Sequence, residues 1–376
     1  MRFKKAALIT LAVILTLAAV ELLLQILTPD IIYSPLSNQT YDARLGTKMN
    51  PALPDIDEKG FRNPEPMGPP DIVTIGDSHT YGVNVSSAMS WPRQLADMDD
   101  VTVYNLGVGS YGTLQYSCLI DEAIKMRPKH IVLALYVTND LDDVCKLVNK
   151  TNYWDDWMKE RGYDPSICRE KSGTWRTIKH YLTKSNLYWM IASAVKRAYE
   201  GSDFGDSLVV TEEANHTIMK NKSILNHKRK MDMSRKRIAL GFEVTKGVIA
   251  DMEEKCDEAG IDFSIVFIPS KSRALFGYLT SHGYKLSGDY YQLVENENNL
   301  VAKFSEFFDE LGLEHVDAGP YVLEELYASS RVYSPSDDGH PMESGYKAYA
   351  RAAHDALKID LKAGQTPKNT GRDMIR

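Results

Sequence analysis

The stretch that most constrains this chain is Asp71-Ile72-Val73-Thr74-Ile75, a β-branched apolar run that stops at Gly76-Asp77-Ser78-His79. Branching at Cβ favours extended backbone, while Gly, Asp and Ser favour turns, so the stretch reads as a buried strand delivering a small hydroxyl to a tight turn. Downstream, helix and strand patterns alternate. A helix is expected over 91–98, a strand over 101–105, a helix over 111–126 and a strand over 130–136. A long helix over 233–259 ends at Gly260, a strand follows over 262–268, and a helix over 290–311 ends at Gly312. A strand over 314–317 and a helix over 343–357 close the pattern. Such alternation predicts βαβ units, hence a parallel sheet with helices on both faces and a site beyond the strands' carboxyl ends. Ser78, the Gly109-Ser110 pair and Asn139 each follow one of the first three strands and should meet at that edge.

At 376 residues, 43% of them apolar and 25% charged, the chain suits one large α/β domain with an appendage and an insertion. Its net charge of −7 argues against nucleic acid as a partner, because phosphate recognition needs a basic face. The four cysteines are too scattered for a disulfide scaffold and have no metal-ligand spacing, so neither metal nor cofactor is expected. Cys145 and Cys168 are placed to pair if the compartment permits it; Cys118 and Cys256 read as buried fillers.

Arg2, Lys4 and Lys5 precede a 22-residue apolar stretch, 6–27, broken only by Thr10, Thr16, Glu21 and Gln25. As a helix it would be about 33 Å long, enough for a hydrocarbon core of about 30 Å. The basic flank sets the amino terminus inside. Residues 1–28 are thus expected to form a transmembrane anchor, leaving the rest extracytoplasmic, in the periplasm or at the cell surface. A cleaved signal ending near Thr16-Leu17-Ala18 is the rival reading. Residues 29–70 read as a stalk, in which Glu58-Lys59-Gly60-Phe61-Arg62-Asn63 stands out. Phe61 is expected to pack on the domain, and Arg62 near the active site is the sharper alternative.

Four blocks occur in order: Gly76-Asp77-Ser78, Asn105-Leu106-Gly107-Val108-Gly109-Ser110, Thr138-Asn139-Asp140 and Asp337-Asp338-Gly339-His340-Pro341. Over roughly residues 71–145 and 262–357 the chain resembles the SGNH (GDSL-type) hydrolases. The resemblance implies a three-layer α/β/α, flavodoxin-like domain over 71–363. It also implies Ser78 as nucleophile and His340 as its base, with Asp337 as the histidine's carboxylate by an Asp-x-x-His spacing or Asp338 by Asp-x-His. The oxyanion donors it implies are the backbone N–H of Ser78, a backbone N–H at Ser110 and the side-chain amide of Asn139. Two positions depart from the family pattern: Ser110 and Val137 stand where glycines are expected. His79 reads as a solvent-facing turn residue, with pocket lining as the alternative.

Residues 141–230 interrupt the alternation and hold Trp154, Trp157, Trp175 and Trp189, four of the five tryptophans. They predict a cap over the catalytic edge whose aromatics form its own small core rather than a sugar platform. His227-Lys228-Arg229-Lys230, with Arg235-Lys236-Arg237 beyond, reads as a solvated helix start, headgroup or anionic-glycan contact being the alternative. The tail 364–376 is expected to be disordered. The functional expectation is a membrane-anchored serine esterase acting on small acyl esters, such as O-acyl groups on glycans, with lipid esters second. The rivals are an O-acyltransferase acting on an exported polysaccharide and a catalytically silent glycan-binding protein.

Overall fold

The computed structural model describes residues 2–27, 39–51, 53, 55–63, 68–169, 187–188, 190–191, 207–210, 215–328 and 330–363. The tail 364–376, the first part of the expected stalk, Trp175 and Trp189 lie outside the described residues.

The centre is a parallel five-stranded sheet of β1 (Ile72–Ile75), β2 (Val103–Asn105), β3 (His130–Leu135), β4 (Asp262–Phe267) and β5 (Glu314–Asp317). Its order is β2-β1-β3-β4-β5, with Thr74 opposite both Asn105 and Val132 and with Leu135 opposite Phe267. All of β1, β2 and β3 is buried, which is why they read as unbroken apolar runs rather than alternating ones. In this order the chain leaves β1 to one side and then crosses back to the other, opening a crevice at the strands' carboxyl ends.

The helices are α1 (Arg2–Leu27), α2 (Ser78–Tyr81), α3 (Trp91–Asp99), α4 (Thr113–Lys125), α5 (Val137–Lys150) and α6 (Asn221–Lys230). They continue with α7 (Lys236–Ala259), α8 (Lys271–Ser281), α9 (Gly288–Leu311), α10 (Gly319–Tyr327) and α11 (Glu343–Ala363). α3 packs with α11, and α4 and α5 pack with α7. At Gly241 a Cβ would lie 2.1 Å from the Leu141 carbonyl oxygen, so only glycine lets α7 cross α5 this closely.

Three differences from the sequence reading have physical causes. Residues 137–150 form a helix rather than a loop leading into a cap. The polar triplet Thr138-Asn139-Asp140 and the Asp142-Asp143 pair hide its period, yet Val137, Leu141, Val144, Cys145 and Val148 share its buried face. α8 and α10 also went unassigned. Finally, the described part of the expected stalk belongs to the domain: an antiparallel hairpin pairs Gln39–Asp42 with Gly46–Met49 and buries Leu45. Tyr111 Oη donates to Thr47 O at 2.7 Å, Phe61 meets Tyr104 edge-on at 6.3 Å, and Asn63 exchanges two hydrogen bonds with the Asn105 backbone.

Cys145 and Cys168 are disulfide-bonded, with Cα atoms 4.6 Å apart, and Cys118 and Cys256 are buried free thiols. α1 exposes Leu8, Ile9, Leu11, Leu15, Leu22 and Leu23. Among the described residues no helix is long and apolar enough to cross a membrane.

Candidate active site

Ser78 opens α2, one turn of helix set directly behind β1. Asp77 caps it, its Oδ1 accepting from the His79 N–H at 2.8 Å, and Gly82 ends it in the left-handed conformation at φ 86°. At the far end the Arg62 guanidinium donates to the carbonyls of Tyr81, Gly82 and Val85 at 3.2, 2.8 and 3.0 Å. A cation on the carbonyl end of a helical turn opposes its dipole, so the Gly-Phe-Arg segment steadies the nucleophile's turn from behind. At Gly107 a Cβ would fall 2.5 Å from Tyr81 N, so glycine is needed for the second block to lie against α2.

His340 bridges the pair the chemistry requires. Its Nε2 is 2.8 Å from Ser78 Oγ and its Nδ1 is 2.7 Å from Asp338 Oδ1, which also accepts the His340 backbone N–H at 2.8 Å. Burial disfavours charge on Asp338, but the hydrogen bonds from His340 outweigh it and hold the carboxyl well below the usual carboxylate range. The carboxylate on the His340 ring is Asp338, the Asp-x-His alternative, and not Asp337. Asp337 faces the other way, accepting from the Lys220 N–H and from Ser223 Oγ, both at 2.6 Å, at the start of α6. The cause is local: Asp338 folds back onto the N–H two residues on, an Asx turn that puts its oxygen within reach of the same residue's ring. The loop is pinned from beneath by Lys271, whose ammonium donates to the carbonyls of Ile218, Ser336 and Asp338 at 3.1, 2.7 and 3.1 Å. Burial pushes this lysine down to about 8.

His79 is buried, not solvent-facing. Its ring lies 4.8 Å from that of His340 and 4.4 Å from that of Tyr136, and burial, then the neighbouring His340, keep it well below the ordinary histidine value. It packs behind the His340 ring.

The expected oxyanion donors line the same pocket, of about 730 Å³. Gly109 passes Ser78 closely enough that a Cβ on it would be 3.9 Å from the serine's Cβ. Ser110 has φ 66°, so it occupies the left-handed conformation that glycine takes most cheaply, at a cost of about 1 kcal/mol or more. Val137, the other departure, is helical and needs no glycine freedom. Asn139 sits in the first turn of α5, held by its neighbour: Asp140 is buried, accepting the Tyr136 N–H at 2.8 Å and the Tyr116 hydroxyl at 2.9 Å. The Asn139 Oδ1 accepts from Lys230 Nζ at 2.7 Å.

Arg62 carried a faint signal in sequence and Lys230 stood out only as part of a basic run; Lys271, Leu45 and Thr47 carried none, since their partners come from distant segments. Among the described residues no group of His, Cys, Asp and Glu could hold a metal ion. The constellation is a serine activated by a histidine–carboxylate pair, the machinery of a serine ester hydrolase.

No family model and no curated protein matches the sequence. Solved structures that resemble it include a GDSL-like lipase from Bacteroides thetaiotaomicron, at 12% identity over 77% of this chain and 88% of that one, with a TM-score of 0.36. A psychrotrophic esterase, EstA, from Pseudoalteromonas is 10% identical over 78% of this chain and 99% of that one, with a TM-score of 0.37. An acetyl xylan esterase is 11% identical over 76% of this chain and 98% of that one, with a TM-score of 0.36. Likenesses this distant carry no weight for the activity, which rests on the site itself.

Proposed function

We propose that the protein is a serine esterase that cleaves small acyl esters, O-acyl groups on glycans foremost, through an acyl-Ser78 intermediate. The observation that carries this is the unbroken Ser78–His340–Asp338 hydrogen-bond chain at the mouth of a pocket. Ser78 Oγ attacks the ester carbonyl carbon as its proton passes to His340 Nε2, and Asp338 stabilises the imidazolium. The oxyanion that forms is met by the N–H groups of Ser78 and the Gly109-Ser110 segment and by the Asn139 amide. Collapse expels the alcohol, which takes the proton from His340. Water then attacks the acyl-enzyme with His340 again as base, releasing the acid and the free serine.

Hydrolysis is preferred to transfer because Trp154 and Trp157, the described members of the aromatic set, do not line this pocket. The intact triad weighs against a silent glycan-binding protein. We place the catalytic domain outside the cytoplasm on an amino-terminal anchor; the 6–27 apolar stretch with its basic flank supports this, as does the exposure of α1's leucines.

The test is labelling of the full chain by a fluorophosphonate probe, together with turnover of acetyl, butyryl and longer esters and of acetylated sugars. Labelling lost in Ser78→Ala, with acetyl esters turned over fastest, is the expected result. Labelling that persists in Ser78→Ala would refute the assignment.

A further inference from the structure

Lys230 is the last residue of α6 and belongs to the basic cluster that the sequence presents as a solvated helix face. Here it turns inward. Its ammonium lies 2.7 Å from Asn139 Oδ1, and it lines the pocket together with Asn139, Asp143 and Lys146.

The direction of that bond matters. An ammonium carries three donors and no acceptor, so it can meet only the oxygen of the Asn139 amide. With Oδ1 committed to Lys230, the amide's Nδ2 is turned away from Lys230, and in a side chain that lines the pocket this leaves its two N–H donors for a ligand. An isolated Asn can flip by about 180° at little cost and present an acceptor instead, which would repel a developing oxyanion. Lys230 removes that alternative. Asp143, one turn beyond Asn139, pairs with Lys146, and Asp142 pairs with Lys146 at 3.2 Å and with Arg237 at 2.8 Å, so the two nearby carboxylates are already paired with two other cations and the hydrogen-bond partner of Lys230 is Asn139.

We propose that Lys230 is a positioning residue for the acyl-transfer reaction: it fixes the Asn139 amide with its donor end toward the oxyanion and polarises that amide through its oxygen. The inference rests on the esterase reading, since it assigns a role to an oxyanion donor. It goes beyond that reading in making the third block depend on a lysine some ninety residues away in the chain, on a different helix. A polarised amide donates more strongly to an anion than to a neutral carbonyl, so the effect belongs to the transition state and should appear in kcat rather than KM.

The experiment compares full-length wild type with Lys230→Met, Lys230→Gln, Asn139→Ala and the Lys230→Met/Asn139→Ala double variant on p-nitrophenyl acetate. Ser78→Ala is the control, and thermal melts report on folding. Lys230→Met should lower kcat about tenfold at unchanged KM, and Asn139→Ala about 10²-fold or more. The double variant should be no slower than Asn139→Ala alone, because a residue that acts through Asn139 has nothing left to position. Lys230→Gln, whose amide N–H can still donate to Oδ1, should recover most of the lost kcat, which a merely structural or long-range charge role would not predict. An unchanged kcat in Lys230→Met would overturn the inference, as would a tenfold loss that multiplies fully onto Asn139→Ala. Either result, with Ser78→Ala inactive, leaves the esterase reading standing; turnover retained in Ser78→Ala would overturn both.

Discussion

Two hollows of similar size show what separates a reactive site from a packed one. The pocket at the sheet's carboxyl edge encloses about 730 Å³ and the hollow beside Trp154 and Trp157 about 580 Å³. The second is the more aromatic, and by composition it is the better sugar platform. Yet its groups are already satisfied by each other. Arg161 lies 4.3 Å over the Trp157 ring, with Tyr163 stacked at 6.2 Å, and Trp154 meets Trp157 edge-on and gives its indole N–H to the Arg44 carbonyl at 2.8 Å. Arg161 pairs with Asp251 at 2.8 Å and Lys255 with Asp121 at 2.6 Å. The Cys118 thiol in its lining is pushed up to about 11 by burial, away from the thiolate form a nucleophile needs. In the pocket at the sheet's edge the bonds from Asp338 to His340 to Ser78 form a directed chain instead, and it ends on a serine hydroxyl bonded to His340 and Asp77. Activating a hydroxyl requires such a chain of base and carboxylate, and aromatic content says little about it.

The largest effects should come from the chain's reactive end. Ser78→Ala and His340→Ala should each cut ester turnover by about 10⁴–10⁶-fold while the melting temperature stays near wild type, because members of a triad act as a unit. Turnover surviving either change would erase the distinction between the hollows. Next come the two aspartates. Asp338→Asn should cost about 10³–10⁴-fold in kcat by disturbing the His340 tautomer. Asp337→Asn, which weakens only the bonds from the Lys220 N–H and Ser223, should act mainly on stability, by about 1 kcal/mol. Steady-state kinetics beside thermal melts separates the two, and the reverse ranking would restore the Asp-x-x-His reading.

Trp154→Ala should behave in the opposite way to Ser78→Ala. Emptying a buried indole is expected to destabilise the fold by about 3–5 kcal/mol, with kcat nearly unchanged below the new melting point. A fall in kcat without a fall in stability would mean that the aromatic hollow serves the reaction after all.

The last prediction concerns His130, on β3, a residue remote from both hollows, whose ring meets Ser264 Oγ at 2.8 Å. Burial lowers it to about 4. Its neutral form is favoured by the fold, so the unfolded chain takes up a proton first as pH falls below about 6.5. Stability is then lost progressively down to about pH 4, by up to about 3 kcal/mol from this residue. Melting curves between pH 7 and 4 should show a shallower slope in His130→Asn; an identical slope would show that other groups carry it.

The parallel sheet and the place of Ser78 were legible from local pattern alone, because buried strands must be apolar, and because β-branched runs and turn residues report backbone preference within a few residues. Gly260 and Gly312 marked helix ends for the same reason: left-handed backbone is costly to anything with a Cβ. The order of the four blocks likewise placed Asn139 and His340 at one edge. Tertiary structure alone decided which aspartate serves His340, since Asp337 and Asp338 are chemically identical neighbours and only the turn at Gly339, pinned by Lys271, aims one at the ring and the other at α6. It also drew the hairpin and Arg62 out of an apparent stalk and onto the nucleophile's turn. The same holds for Lys230, which looked like part of a solvated basic run until the packing of α6 against α5 set its ammonium on Asn139. Local sequence determines what a segment prefers; which groups meet depends on contacts between residues far apart in the chain, and no short window contains both partners.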